Sequence, residues 1–171
     1  MAEHRFYHVD RNRTLKEGQV IRLDNNNLSQ FGAVYWEAIS TKPFEMMSDA
    51  EQRERILENI KREDTFKAYC SRMQAFFGAN SIEDAKRFNE KCDPKPSELV
   101  PIYEVFASKY WNLDMNWLDY STDHATRLRY LREYWYASLT NHNPSSGERR
   151  PPLIEVLMEL PVRVGKVVAW V

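Results

Sequence analysis

The chain has 171 residues, enough for one domain with a proper core and too few for two comfortable ones, so a single domain over 1–171 is expected. Hydrophobic content of 43%, with 5 Trp, 9 Tyr and 8 Phe, excludes a disordered chain, while 29% charged residues leave the surface well solvated. With a formal net charge of -1 there is no global electrostatic drive toward nucleic acid, although a local basic patch is compatible with it.

Arg5 to Asp10 alternates and is rich in aromatic and β-branched residues, which predicts a strand with His8 set among apolar neighbours. Thr14 to Leu23 reads as a turn, served by Gly18, leading into a second short strand. Residues 24 to 47 show no sustained period: Asn25-Asn26-Asn27 is a loop, and Phe31 to Trp36 is too short to assign. Ser48 followed by Glu51 is a capping-box pattern, and it opens an amphipathic helix to about Glu63 with Ile56, Leu57 and Ile60 on one stripe.

Thr65 to Arg72 fits a strand or a loop, and Met73, Phe76 and Phe77 then fall at helical spacing. Gly78 and Asn80-Ser81 stop that segment. Ser81 with Asp84 opens a further helix to about Lys91, with Ala85 and Phe88 inward. After the breaker Asp93-Pro94-Lys95-Pro96, Leu99 to Phe106 is a strand, and Tyr110 to Trp117 either pairs with it or forms a loop.

Ser121-Thr122-Asp123 caps a helix running to Ser138 with Leu128, Leu131 and Trp135 on one stripe; Asn141 to Pro152 is an exposed loop. Two strands close the chain, Leu153 to Leu160 and Val162 to Val171, interrupted at Pro161 and again near Gly165. Strands at both ends with helices between predict an α+β fold whose sheet is mixed or antiparallel.

Cys70 and Cys92 stand apart without a CxxC partner or nearby histidines, so two free thiols in a reducing compartment are expected, and neither a zinc site nor any other metal. No apolar stretch approaches the ~20 residues that cross a bilayer, and Met1-Ala2-Glu3-His4-Arg5 lacks a signal-peptide core. The expectation is a cytoplasmic protein, of the producing or of a target cell, with no membrane partner.

A polar residue of defined chemistry in an apolar strand costs stability unless it is hydrogen-bonded or sits in a cleft. His8 in the first strand and Glu155 near the start of the penultimate one are of this kind, and they suggest a composite site. Between them, Tyr69-Cys70-Ser71-Arg72 feeds the segment holding Phe76 and Phe77.

This order of residues resembles the ADP-ribosyltransferase superfamily, whose NAD-binding cleft is built from a first strand bearing His or Arg, a Ser or Tyr segment leading into a helix, and a late strand bearing Glu. FYHVDRNRTLKEGQVIRL, SRMQAFFGANSIEDAKRF and PPLIEVLMELPV are similar to a small bacterial family of toxin- and effector-like members within it. The resemblance implies a split sheet of that type, NAD+ as co-substrate, and transfer of ADP-ribose to a macromolecular acceptor, protein or nucleic acid, in a bacterial or phage toxin or effector. A cognate immunity or antitoxin protein is then an expected partner. It makes Glu155 the catalytic residue and His8, Tyr69, Ser71, Arg72 and Phe77 the NAD-binding set.

Residue chemistry fits these roles. A carboxylate stabilises the oxocarbenium-like centre formed when nicotinamide leaves ribose. An imidazole or a small hydroxyl holds ribose hydroxyls, an aromatic ring stacks on nicotinamide, and Arg72 pairs with a phosphate or with Glu155. Leu153 stands where the superfamily commonly has a further glutamate, which puts arginine-directed protein modification in doubt.

Each assignment has a plainer rival. His8 fits a satisfied structural histidine, Ser71-Arg72 a helix cap and a solvated cation, and Met73, Phe76 and Phe77 ordinary core. Glu159 lies four residues beyond Glu155 on the same strand face. Tyr130, Tyr134, Trp135 and Tyr136 fit a packed helix better than a base-stacking platform, and Arg149-Arg150 is a solvated loop or an acceptor contact. At the level of the whole chain, the alternatives are a non-catalytic NAD, ADP-ribose or nucleic-acid binding module, and a protein interaction or inhibitor factor.

Overall fold

The computed structural model describes residues 2–91, 94–141 and 149–171; Cys92 and the middle of the loop expected before Pro152 lie outside them. In chain order the elements are β1 (His4–Val9), β2 (Val20–Ile21), α1 (Gln30–Thr41), α2 (Asp49–Lys61), β3 (Ala75–Gly78), α3 (Ile82–Glu90), β4 (Pro101–Ala107), β5 (Tyr110–Asp114), α4 (His124–Trp135), β6 (Ile154–Glu159) and β7 (Val162–Trp170). The fold is α+β, and its strands make two antiparallel sheets, one ordered β1-β4-β7-β2 and the other β3-β6-β5. Among the described residues no helix is long and apolar enough to cross a membrane.

The sheets meet along one seam. Tyr7 of β1 and Ala79, just past β3, exchange backbone hydrogen bonds of 2.9 and 2.8 Å. The approach is so close that a Cβ on Gly78 would lie 2.7 Å from the Tyr7 carbonyl oxygen, so only glycine fits there. At Pro161 the chain passes from β6 in one sheet to β7 in the other.

The helix caps were written into the sequence. Ser48 and Glu51 form the reciprocal capping box of α2, Ser81 accepts from the Asp84 N–H, and Asp123 accepts from the Thr126 N–H. Ile56, Leu57 and Ile60 are buried in a core shared with Phe66, Leu113, Trp117, Leu131, Trp135 and Leu157. Full burial of such side chains is worth about 1.5–3 kcal/mol each. The two buried indoles find carbonyl partners as well: Trp135 Nε1 donates to Leu57 O at 2.9 Å and Trp117 Nε1 to Ser138 O at 2.8 Å.

The structure departs from the sequence reading at several points. Met73, Phe76 and Phe77 do not share a helix: a short 3-10 turn at Arg72–Gln74 leads into β3, which pairs with β6 through Phe76 and Met158, and Phe77 and Leu157. Alternation sends the two phenylalanines to different cores, Phe77 to the one containing Leu57 and Phe76 to the one containing Phe6. Residues 30 to 41, unreadable in sequence, form α1; Ser29 caps it, and Gly32 lets it press on the 3-10 turn, where a Cβ would fall 1.9 Å from Met73 O.

Next, α4 ends at Trp135, with Ala137 in the left-handed region (φ 59°); its buried face carries Tyr130 and Tyr134, whereas Leu128 is exposed. Lastly, β5 pairs with β6, not β4, and β7 runs on through Gly165, although its register against β4 shifts between Val164 and Val167.

Candidate functional site

Glu155 is the second residue of β6, opposite Leu113 of β5, and its side chain is only 8% exposed. Its Oε1 accepts from Arg72 Nη1 at 2.6 Å and from the Tyr134 hydroxyl at 3.0 Å. Arg72 Nη1 also donates to the Tyr134 oxygen at 2.6 Å, while its Nε donates to Glu54 Oε1 at 2.6 Å. Arg72 and Glu54 are fully or nearly fully buried as well. Thus α2, the 3-10 turn, α4 and β6 each send one polar side chain to a common point inside the molecule.

Three rings enclose the guanidinium: its carbon lies 4.8 Å from the centre of the Phe77 ring and 5.3 Å from those of Phe31 and Tyr134. Burial works against its charge, but Glu155 and Glu54 outweigh it and hold its pKa well above the ordinary value. Burial likewise holds the proton on Tyr134, against the pull of Arg72 and with help from Glu155 and Glu54. Tyr134 therefore serves as a neutral donor to Glu155 while accepting from Arg72.

His8 reaches this group from the other side of the seam. Its Nδ1 is 2.6 Å from the Phe77 carbonyl, so Nδ1 carries the proton and Nε2 is the acceptor of the neutral ring. Desolvation holds the imidazole below its ordinary pKa, with the Phe77 carbonyl opposing. The ring also packs on Phe76 at 4.3 Å between centres.

Of the six residues singled out in sequence, four form a continuous chain of contacts, His8 to Phe77 to Arg72 to Glu155. Ser71 and Tyr69 stand apart from it. The Ser71 hydroxyl donates to Glu58 Oε1 at 2.7 Å and its oxygen accepts from the Met73 N–H, which is a turn cap. Tyr69 packs against Phe66, Trp111 and Trp135. Glu159, at the far end of β6, has 44% of its side chain exposed and lies 3.7 Å from Lys109.

Sequence reasoning missed Glu54, Tyr134 and Phe31. Glu54 carried a readable signal: it stands three residues before Leu57 on the buried stripe of α2, where an unpaired carboxylate has no place. Nothing local marked the other two.

A second buried carboxylate fixes the entry to β6. Asp114 Oδ1 accepts from the N–H groups of Asn116 and Leu153 at 3.0 and 3.2 Å, and Oδ2 from the N–H and hydroxyl of Thr140 at 2.9 and 2.8 Å. Asn116 adds a bond to Pro151 O, and Arg87 one to Pro152 O. Leu153, at the position where a further glutamate is common in the resembled superfamily, is fully buried. Arg150 lies over the Tyr120 ring at 4.1 Å while Arg149 is exposed. Among the described residues no group of three or more His, Cys, Asp or Glu is placed to hold a metal ion.

No curated protein matches the chain. A family model does match, over residues 37–168, a span that takes in Glu54, Arg72, Phe77, Tyr134 and Glu155 and leaves out His8. Since that is well over half of its length, the chain belongs to the family described as "Protein of unknown function (DUF2441)".

Proposed function

We propose that this protein is a mono-ADP-ribosyltransferase that cleaves NAD+ and passes ADP-ribose to a macromolecular acceptor, protein or nucleic acid, with Glu155 as the catalytic carboxylate. The observation that carries the reading is the contact chain from His8 through Phe77 and Arg72 to Glu155, drawn from three distant segments and crossing the seam between the two sheets. A split sheet with histidine on one side and glutamate on the other is what the resemblance implies, and the seam at Tyr7 and Ala79 supports it.

In this reading the bond between ribose C1′ and the nicotinamide nitrogen breaks, and its electron pair leaves with nicotinamide. The acceptor's lone pair forms the new bond at C1′ and its proton goes to Glu155 or to water. Glu155 carries negative charge to the developing oxocarbenium-like centre. Both of its hydrogen bonds described above fall on Oε1, so Oε2 is the oxygen assigned to the reacting carbon. His8 Nε2 accepts from a ribose hydroxyl, and Phe77 offers its ring to nicotinamide. Arg72 positions Glu155. The setting this chemistry fits is a toxin or effector acting in a cytoplasm.

Incubation of the purified chain with NAD+, with and without cell lysate as acceptor source, tests the reading through free nicotinamide. Wild type should release it, Glu155→Gln should be slower by about 100-fold to 1000-fold, and Glu159→Gln should match wild type. Undiminished release by a folded Glu155→Gln protein defeats the assignment.

One observation favours a second reading. Glu155 is almost wholly enclosed and already paired with a cation, the usual state of a structural carboxylate. A module that binds NAD or ADP-ribose without turnover would be recognised by tight ADP-ribose binding and no nicotinamide release from wild type.

A further inference from the structure

We propose that Tyr134 is a positioning residue that aims the Glu155 carboxylate, an inference that rests on the transferase reading above and adds a residue to it. Tyr134 lies at the end of α4 and is fully buried. Its ring packs edge-on against Trp135, with centres 5.1 Å apart, and its centre lies 5.3 Å from the Arg72 guanidinium carbon. Phenylalanine would make those ring contacts equally well. A buried phenol costs stability unless its oxygen is put to use, so the hydroxyl asks for a reason of its own.

The hydroxyl closes a triangle. Arg72 Nη1 is 2.6 Å from the Tyr134 oxygen and 2.6 Å from Glu155 Oε1, and the third side, between those two oxygens, is 3.0 Å. Nη1 carries two hydrogens, and the triangle takes one on each oxygen. A guanidinium accepts nothing, so the phenol hydrogen goes to Glu155. Arg72 itself is held through Nε by Glu54 Oε1, 2.6 Å away.

A carboxylate held by one donor swings about that single bond. Two donors on the same oxygen, one from the 3-10 turn and one from α4, fix the direction in which the other oxygen points. That other oxygen, Oε2, is the one assigned above to the reacting carbon. The phenol is itself firmly placed, because α4 is tied to α2 one residue on, where Trp135 Nε1 donates to Leu57 O at 2.9 Å. A misplacement of about 1 Å costs a reacting group about 100-fold in rate, and the phenol guards against an error of that size.

Initial rates of nicotinamide release over a range of NAD+ concentrations test the assignment. Tyr134→Phe should lower kcat by about 10-fold to 100-fold and leave KM for NAD+ within about 3-fold of wild type. Tyr130→Phe removes a hydroxyl from the same buried face of α4, where the ring packs on Trp117 and Tyr120, and should match wild type. The deciding readout is the double variant. Glu155→Gln has no charge left to aim, so adding Tyr134→Phe should slow it no further, whereas a hydroxyl that serves only the core slows both backgrounds by the same factor.

Equal factors in the two backgrounds, or an unchanged kcat in Tyr134→Phe, overturn the inference and leave the transferase reading standing. Wild type that releases no nicotinamide removes both. Circular dichroism and the urea midpoint show whether each variant is folded. If Tyr134→Phe is not, Tyr134→Met fills the site without a hydroxyl and carries the same comparison; failure of both to fold overturns the inference, because the hydroxyl then serves the core.

Discussion

Asp114 and Glu155 are both buried carboxylates, on neighbouring strands of one sheet, and their environments differ in kind. Asp114 is met by neutral donors, among them the backbone N–H groups of Asn116, Thr140 and Leu153, which cannot move without moving the chain. Glu155 is met by the ends of two long side chains, Arg72 and Tyr134, from elements far apart in sequence. The first arrangement locks a strand in place. The second sets a charge among buried side chains from distant elements, so its geometry is fixed by tertiary packing and not by the backbone of its own strand.

The contrast is broken most severely at Arg72. Replacing it by Met fills much of the volume but leaves Glu54 and Glu155 buried without their shared cation. The expected loss is about 3–5 kcal/mol of unfolding free energy at neutral pH, read by urea denaturation. A loss well below this range would mean that packing around the three rings, not charge, is what Arg72 supplies.

Asp114→Ala comes next, with an expected cost of about 2–3 kcal/mol as buried backbone donors lose their acceptor. Asp114→Asn, which keeps one oxygen, should lose less. Because the clamp sits two strand positions from Glu155, this change should also lower any nicotinamide release, whereas the Arg72 change should abolish it. Equal nicotinamide release by wild type and Asp114→Ala would separate the clamp from the candidate site.

How far the sequence anticipated this arrangement depended on whether the deciding contacts were local. The capping box of Ser48 and Glu51 lies within four residues and was legible in full. So were the terminal strands, whose aromatic and β-branched residues mark them without reference to a partner. By contrast, α1 exposes Val34 and Trp36 and buries Gly32 and Ile39, so hydrophobicity pointed to the wrong face. Phe76 and Phe77 suited helix and strand spacing equally, and pairing with Met158 and Leu157, some eighty residues on, decided the matter. Arg72 pairing with Glu155 was one of two options open from residue chemistry, but Tyr134 and Glu54 complete the group only through tertiary packing.

The smallest expected effect concerns His8, and it sharpens the same contrast between backbone and side-chain partners. Its Nδ1–H is fixed on Phe77 O, while desolvation places its pKa below that of the unfolded chain. The unfolded state therefore takes up a proton first as pH falls. Stability contributed by the neutral ring is fully present above the unfolded value of about 6.5, declines as pH drops from there toward the folded pKa, and levels off below it. His8→Gln retains an N–H donor without a titrating ring, so its urea midpoint should fall less than that of wild type across this window. Parallel curves would show that folding does not lower the His8 pKa. Convergence of the expected kind would mean that the ring stays neutral in the folded protein below pH 6.5, which is the state that leaves Nε2 to accept from a ribose hydroxyl.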